Sequence, residues 1–197
     1  MTPEDLQVAI NKIVLNDDQS AFETIYTAYY DRLYGLALSI VKSEEAAEEI
    51  YNDVMLNIWN HREKLLSINN LTVYLYVSVK NHSLRCLTRL SKINQVNIDE
   101  INFEIQDFSP TAQDQIISSE FLEAINKAIG QLSPQCKLVF KLVKEDGLKY
   151  KEVAEILNIS IKNVEYHIAN ALKKIASHIS SAKKPFIKGS FKSIISN

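Results

Sequence analysis

Lys149–Ile179 reads KYKEVAEILNISIKNVEYHIANALKKIASHI, and its spacing predicts two helices joined by a very short turn. The first covers Tyr150–Leu157, with Val153, Ala154 and Leu157 on one face. The second starts after Ser160 and places Ile161, Val164, Ile168, Leu172 and Ile175 on one face. Intervals of three and four residues are the helical period. Ser160 carries a hydroxyl that can accept an orphan amide one turn on. Asn158 stands where the first helix must stop, and Asn tolerates the left-handed backbone of a tight turn. Two helices around a three-residue turn have the form of a helix-turn-helix. The outward face of the second carries Lys162, Asn163, Glu165, Tyr166, Asn170, Lys173 and Lys174. Such side chains reach phosphates and base edges in a major groove. A plain helical hairpin with a solvated polar face has the same pattern, so both readings stand at this point.

The 197 residues suit one large or two small domains, each able to bury a core. Four Gly, four Pro and long periodic stretches point to an all-α chain. Charge is unevenly spread: residues 1–70 carry net −7, 71–95 net +4, 96–123 net −7 and 124–197 net +8. Two basic segments separated by an acidic one suggest two anion-facing surfaces. Cys86 and Cys136 have no CxxC and no His at ligand spacing, which reads as reduced core cysteines in a cytosolic protein. The acidic start MTPEDLQ lacks an apolar signal core, and the apolar run 33–41 is too short to span a bilayer. The expectation is a cytoplasmic protein.

Residues 2–15 read as a short helix with Leu6, Ile10, Ile13 and Val14 as its stripe, opened by Thr2-Pro3. Residues 17–20 break it. A long helix over 21–41 repeats Phe22, Ile25, Tyr26, Tyr29, Leu33, Leu36, Ala37 and Ile40. Ser43 and two glutamates open a third helix, 44–62. It has one apolar seam at Ala47, Ile50, Val54 and Ile58, and a second at Met55, Leu56 and Trp59 beside Glu49, Asn52 and Asp53. A helix apolar on two sides needs two partners: two helices of its own domain, or one helix and another protein.

A fourth helix, 71–92, has no acidic residue. One face reads Tyr74, Ser78, Asn81, Arg85, Arg89 and Lys92; the adjoining one reads Leu75, Val79, Cys86 and Leu90. Aromatic, amide and cationic groups on one stripe suit opened nucleic acid, because aromatics stack on bases and cations hold phosphates. A solvated basic face is the other reading. Residues 93–119 lose the periodicity and read as an acidic linker. Helices follow at 120–129 and at 135–144, the latter opened by Ser133-Pro134 and ended by Gly147. Residues 180–197 read as a flexible tail. The expected organisation is therefore two small helical domains, 1–92 and 120–179, joined by the acidic linker.

In this order the stretches resemble the extracytoplasmic-function (group 4) sigma factors of bacterial RNA polymerase. AFETIYTAYYDRLYGLAL (21–38) looks like the start of their region 2, and EEIYNDVMLNIWNHRE (48–63) resembles the stretch that docks on the polymerase clamp helices. LTVYLYVSVKNHSLRCL (71–87) resembles the segment that melts and reads the −10 element. Residues 132–175 resemble region 4, which reads the −35 element. The resemblance implies core-polymerase contacts from Glu49, Asn52, Asp53 and Leu56. It implies −10 contacts from Tyr74, Lys80, Asn81, Arg85 and Arg89, with Asn81 holding a flipped base. It implies −35 contacts from Lys162, Asn163, Glu165, Tyr166, Ala169, Asn170, Lys173 and Lys174. Asn52 stands where Gln is common in the family, Asn163 where Thr is, and Lys149 where a Ser cap is. The −35 face also lacks the arginines often found there.

As implied partners, the resemblance gives the polymerase core (clamp helices and flap), promoter DNA and an anti-sigma protein, often membrane-bound. Met55, Leu56 and Trp59 are the candidate shared surface for the last. No cofactor, metal, small-molecule substrate or enzymatic activity is expected. The rival reading is a helix-turn-helix regulator whose N-terminal part senses or dimerises.

Overall fold

The computed structural model describes residues 1–91 and 119–181. Two compact units divide between Val96 and Asn97, and among the described residues there is no strand. The linker expectation lies outside the described residues except for Ser119, which opens a helix. So does the tail expectation beyond Ser181, where the last helix ends.

The first unit holds α1 (Pro3–Asn16), α2 (Gln19–Val41), α3 (Glu44–Asn60), a 3-10 turn (Arg62–Ser67) and α4 (Leu71–Ser91). Thr2 opens α1 with a reciprocal box: its hydroxyl accepts from Asp5 N at 3.1 Å, and the Asp5 carboxylate accepts from Thr2 N at 3.2 Å. The break after α1 is only two residues long. Asp17 ends α1 in the left-handed region (φ 51°), and the Asp18 carboxylate accepts from Ala21 N at 3.0 Å to open α2. Asn16–Ser20 therefore needs no loop, and α2 begins two residues earlier than its apolar period suggests. Lys42 (φ 56°) ends α2, and the Ser43 hydroxyl opens α3 by accepting from Ala46 N at 3.3 Å. The Asn70 side chain opens α4 by accepting from Val73 N at 3.2 Å.

α2 is the spine of this unit and packs against α1, α3 and α4. Leu33, Leu36, Ala37 and Ile40 are almost wholly buried, as are Ala47 and Val54 of α3 and Leu75 and Val79 of α4. The second apolar seam of α3 mostly belongs to the same core. Met55 is 1% exposed, and Trp59 is half-buried between Phe22 (ring centroids 5.1 Å apart) and the Arg62 guanidinium (4.9 Å). Arg62 also pairs with Asp17 and donates to Trp59 O at 3.0 Å, which seats the 3-10 turn against α1. Met55 and Trp59 are thus not an exposed docking surface; of the three, only Leu56 is (57% exposed).

The second unit holds α5 (Ser119–Gly130), α6 (Pro134–Phe140), a π turn (Lys141–Glu145), α7 (Tyr150–Leu157) and α8 (Ile161–Ser181). Ser133 stands at the cap position of α6, but its hydroxyl makes no cap bond; Pro134 alone marks the start. The helix then widens: Asp146 N donates to Lys141 O at 3.0 Å, five residues back. Inside this widened turn Lys141 is buried and its ammonium meets Asp146 at 3.1 Å and Glu145 at 3.3 Å. Gly147 (φ 70°) supplies the left-handed residue that ends it. Lys149 N donates to the Glu152 carboxylate at 2.9 Å. Glu152 thus reaches back to satisfy the start of α7, a service an ammonium at position 149 cannot perform.

α8 packs against α5, α6 and α7. Val164, Ile168, Ala171 and Ile175 are its buried seam. Two residues depart from the expected face: Leu172 is half-buried, and Ile161, in the first turn, is 45% exposed.

Candidate nucleic-acid interface

The α7–α8 pair is a helix-turn-helix. Asn158 adopts φ 54°, ψ 47° and closes α7, while Ile159 N donates to Ala154 O at 3.0 Å. Ser160 opens α8, its hydroxyl accepting from Asn163 N at 3.1 Å. The turn residues 158–160 are those the sequence indicates. With its seam buried, α8 presents Lys162, Asn163, Glu165, Tyr166, Ala169 and Lys173 outward; Tyr166 is 63% exposed. Asn170 is half-buried. Tyr166, Asn170 and Lys173 also line an open groove of about 500 Å³ that reaches Leu132 and Cys136 at the start of α6. Lys174 is engaged elsewhere: its ammonium donates to Gln131 O at 2.8 Å and ties α8 to the α5–α6 turn. Cys136 is buried, donates to His167 O at 3.2 Å, and has its thiol pKa pushed up by burial.

On α4, Tyr74, Asn81, Arg85 and Arg89 are exposed and Ser78 is half-buried. The first and last stand 15 residues apart, so the stripe is about 22 Å long at 1.5 Å per residue. Lys92 lies outside the described residues. Lys80, a −10 contact that the resemblance implies, does not lie on the stripe. It is buried, and desolvation lowers its pKa, so its charge sits beneath the stripe rather than on it. Cys86 is half-buried and, like Cys136, unbridged.

On α3, Glu49, Asn52, Asp53 and Leu56 are all exposed, at intervals of three, one and three residues that put them on one face. Beside them lies a cluster that periodicity alone does not reveal. Tyr26 and Tyr30 of α2 reach across to α3: the Tyr26 hydroxyl donates to Asn52 Oδ1 at 2.7 Å and the Tyr30 hydroxyl to Glu48 Oε2 at 2.6 Å. Buried Tyr51 donates to Tyr26 O at 2.5 Å. Tyr30 stacks on Tyr34 with centroids 5.5 Å apart, and both Tyr26 and Tyr30 meet the Tyr51 ring edge-on. The hydrogen bond to Glu48, with burial behind it, raises the Tyr30 pKa to about 12. Three tyrosines spaced four apart on α2 are the sequence signal for this cluster; their partners on α3 are not written in any local spacing.

No group of His, Cys, Asp and Glu that could hold a metal ion occurs among the described residues. Nor, among them, is any helix long and apolar enough to cross a membrane.

Comparison with known proteins places both units in one family. The family model for sigma-70 region 2 matches residues 25–93, and that for sigma-70 region 4 matches residues 122–175. The chain is 19% identical over 170 residues to the ECF RNA polymerase sigma factor SigK of Mycobacterium tuberculosis (strain ATCC 25618 / H37Rv), covering 85% of this chain and 90% of that one. It is 22% identical over 152 residues to the ferric citrate uptake sigma factor FecI of Escherichia coli (strain K12), covering 77% and 87%. Among solved structures, CnrH in complex with the cytosolic domain of CnrY aligns with a TM-score of 0.58 at 18% identity, over 91% of this chain and 99% of that one. The sigma factor RpoE of Bartonella quintana, in complex with the anti-sigma factor NepR, aligns with a TM-score of 0.56 at 19% identity, over 82% and 98%. With both family regions matched in order, one on each unit, the chain belongs to the sigma-70 family as an extracytoplasmic-function sigma factor, a protein that directs RNA polymerase to promoters and starts transcription.

Proposed function

We propose that this sigma factor divides its task among three exposed helix faces. Glu49, Asn52, Asp53 and Leu56 on α3 dock on the clamp helices of the polymerase core. Tyr74, Asn81, Arg85 and Arg89 on α4 open and hold the −10 element: Tyr74 offers a ring for stacking, Asn81 an amide for the edge of a base that has left the stack, and the arginines hold phosphates. The outward face of α8 enters the major groove at the −35 element. There Lys162 and Lys173 neutralise phosphates, while Glu165 and Asn170 pair with base edges. Tyr166 packs on a thymine methyl or bonds a phosphate. The polymerase flap is the expected partner of the second unit. The observation that carries this reading is the acid-free exposed stripe on α4, since a carboxylate there would repel the strand it must hold.

The chain's contribution is positional; its side chains make and break no bond. Its place of work is the cytoplasm, where polymerase and promoter are. The complexes of CnrH with CnrY and of RpoE with NepR support regulation by an anti-sigma protein here too, with Leu56 the exposed apolar contact on α3.

Run-off transcription with purified core polymerase tests the whole reading. The expected result is promoter-specific transcripts with this chain as sole sigma factor. Transcripts that require a second sigma factor overturn it.

A further inference from the structure

Glu48 and Asn52 lie one turn apart on α3, and three hydrogen bonds run in series through them. Tyr30 donates to Glu48 Oε2 at 2.6 Å, Asn52 Nδ2 to Glu48 Oε1 at 3.5 Å, and Tyr26 to Asn52 Oδ1 at 2.7 Å. Chemistry fixes the directions. A carboxylate only accepts, so Asn52 must turn its NH₂ toward Glu48; a flipped amide would set oxygen against oxygen. Oδ1 then faces Tyr26, whose hydroxyl donates. One N–H of Asn52 remains, on an exposed residue beside the exposed Asp53 carboxylate. Tyr26 is itself held, by the Tyr51 hydroxyl on its carbonyl at 2.5 Å and by the Tyr51 ring at 5.0 Å. A hydrogen-bonded series on an exposed face adds little to stability, because water competes for each partner. What it does fix is the orientation of the amide, with Nδ2 toward Glu48 and Oδ1 taken up by Tyr26.

We propose that Tyr26 and Glu48 are positioning residues for polymerase docking: they hold Asn52 as a hydrogen-bond donor, so the polymerase group it meets is an acceptor, a carboxylate or a main-chain carbonyl. The inference rests on the reading that Asn52 touches the core enzyme. On this face a donor at position 52 therefore stands beside an anion at position 53. The polymerase surface must offer an acceptor and a cation in the same order.

The test is the affinity of the full-length chain for purified core polymerase, read by fluorescence anisotropy, with the urea midpoint of each variant alongside. Tyr26→Phe keeps the ring packing and removes only the hydroxyl; Glu48→Ala removes the other anchor. Each is expected to weaken binding about two- to tenfold, the range of one net hydrogen bond, with an unchanged midpoint. In an Asn52→Ala background neither should add to the loss. Asn52→Asp should bind no better than Asn52→Ala, since it replaces the donor with an acceptor beside Glu48. Wild-type affinity for Asn52→Ala removes the docking reading beneath the proposal. If Asn52→Ala weakens binding but Tyr26→Phe does not, or if Tyr26→Phe loses the same factor with and without Asn52, the positioning role is overturned. Wild-type affinity for Asn52→Asp overturns the donor assignment. Should Tyr26→Phe lower the midpoint, Glu48→Ala with its Asn52→Ala double decides the question on the same criteria.

Discussion

Replacing Lys141 with Met should unfold the second unit while leaving the first intact. The Lys141 side chain is 11% exposed and that of Asp146 only 2%. Met fills nearly the same volume, so the change removes the ammonium and little packing. What remains is a desolvated Asp146 carboxylate with a second carboxylate, Glu145, close by. Removing one partner of a buried pair costs about 3–5 kcal/mol. The described part of this unit is 119–181, and a domain of that size has a total stability of roughly 3–9 kcal/mol. The substitution is therefore comparable to the whole margin, and in urea it should move the midpoint by about 2 M.

The chain has a single tryptophan, Trp59, and it lies in the first unit, so two probes separate the units. Far-ultraviolet circular dichroism should show an early loss of helix, while the Trp59 fluorescence midpoint stays at its wild-type value. Burial already raises the Glu145 pKa above its ordinary 4.5, and Lys141 partly offsets this. A raised carboxyl pKa means the folded state binds the extra proton, so stability falls as pH rises through the window above 4.5. Without Lys141 that window widens, and the deficit of the variant should shrink as pH is lowered toward 4.5. Adding Asp146→Asn should recover part of the loss. A wild-type dichroism midpoint for Lys141→Met would refute the reasoning.

Three further outcomes are expected. Asn81→Ala should impair initiation on duplex promoters and alter preference at one −10 position; permanganate footprinting with a panel of −10 variants checks this, and equal transcription from every variant in both proteins counts against it. Lys162→Ala should weaken all promoters alike and lower the salt slope by about one unit. Asn170→Ala should instead cost about 1–3 kcal/mol at one base pair, and a holoenzyme binding matrix showing the reverse pattern means the roles are misassigned. Asp17→Asn should flatten the acid limb of first-unit stability. The Arg62 hydrogen bond, aided by its charge, holds the Asp17 pKa below 3.8, so this contribution is full above 3.8 and lost as pH falls below it. Trp59 fluorescence melts from pH 5 to about 2 read the slope, and a variant with the wild-type slope contradicts the linkage.

Much of the architecture is legible in local spacing. Ser43, Ser160, Asn158 and Gly147 stand at helix ends because their chemistry suits capping or left-handed backbone, and such effects reach only a turn or so along the chain. Burial is harder to read. Period places Met55, Leu56 and Trp59 together but does not say how far α2 wraps around α3, and two of the three are covered. Lys80 shows the same limit, since a long stem can lie inside a core whatever its charge. Least legible are pairs far apart in the chain: Tyr26 with Asn52, Asp17 with Arg62, and Lys174 with the Gln131 carbonyl. Each depends on where two helices cross. The π turn was hidden for a different reason, as a residue inserted into a helix leaves its composition unchanged.

That widened turn also constrains how this part of the chain can vary in length. In an α-helix each residue advances the chain by roughly 100°, 3.6 residues making a turn, and the π segment absorbs one surplus residue between Phe140 and Asp146. Deleting any single residue there would restore regular winding. It would also turn the Asp146 amide bond, now five residues back, into one four residues back, and so close the widened turn. Homologous chains that align across it without a gap should therefore carry the same bulge.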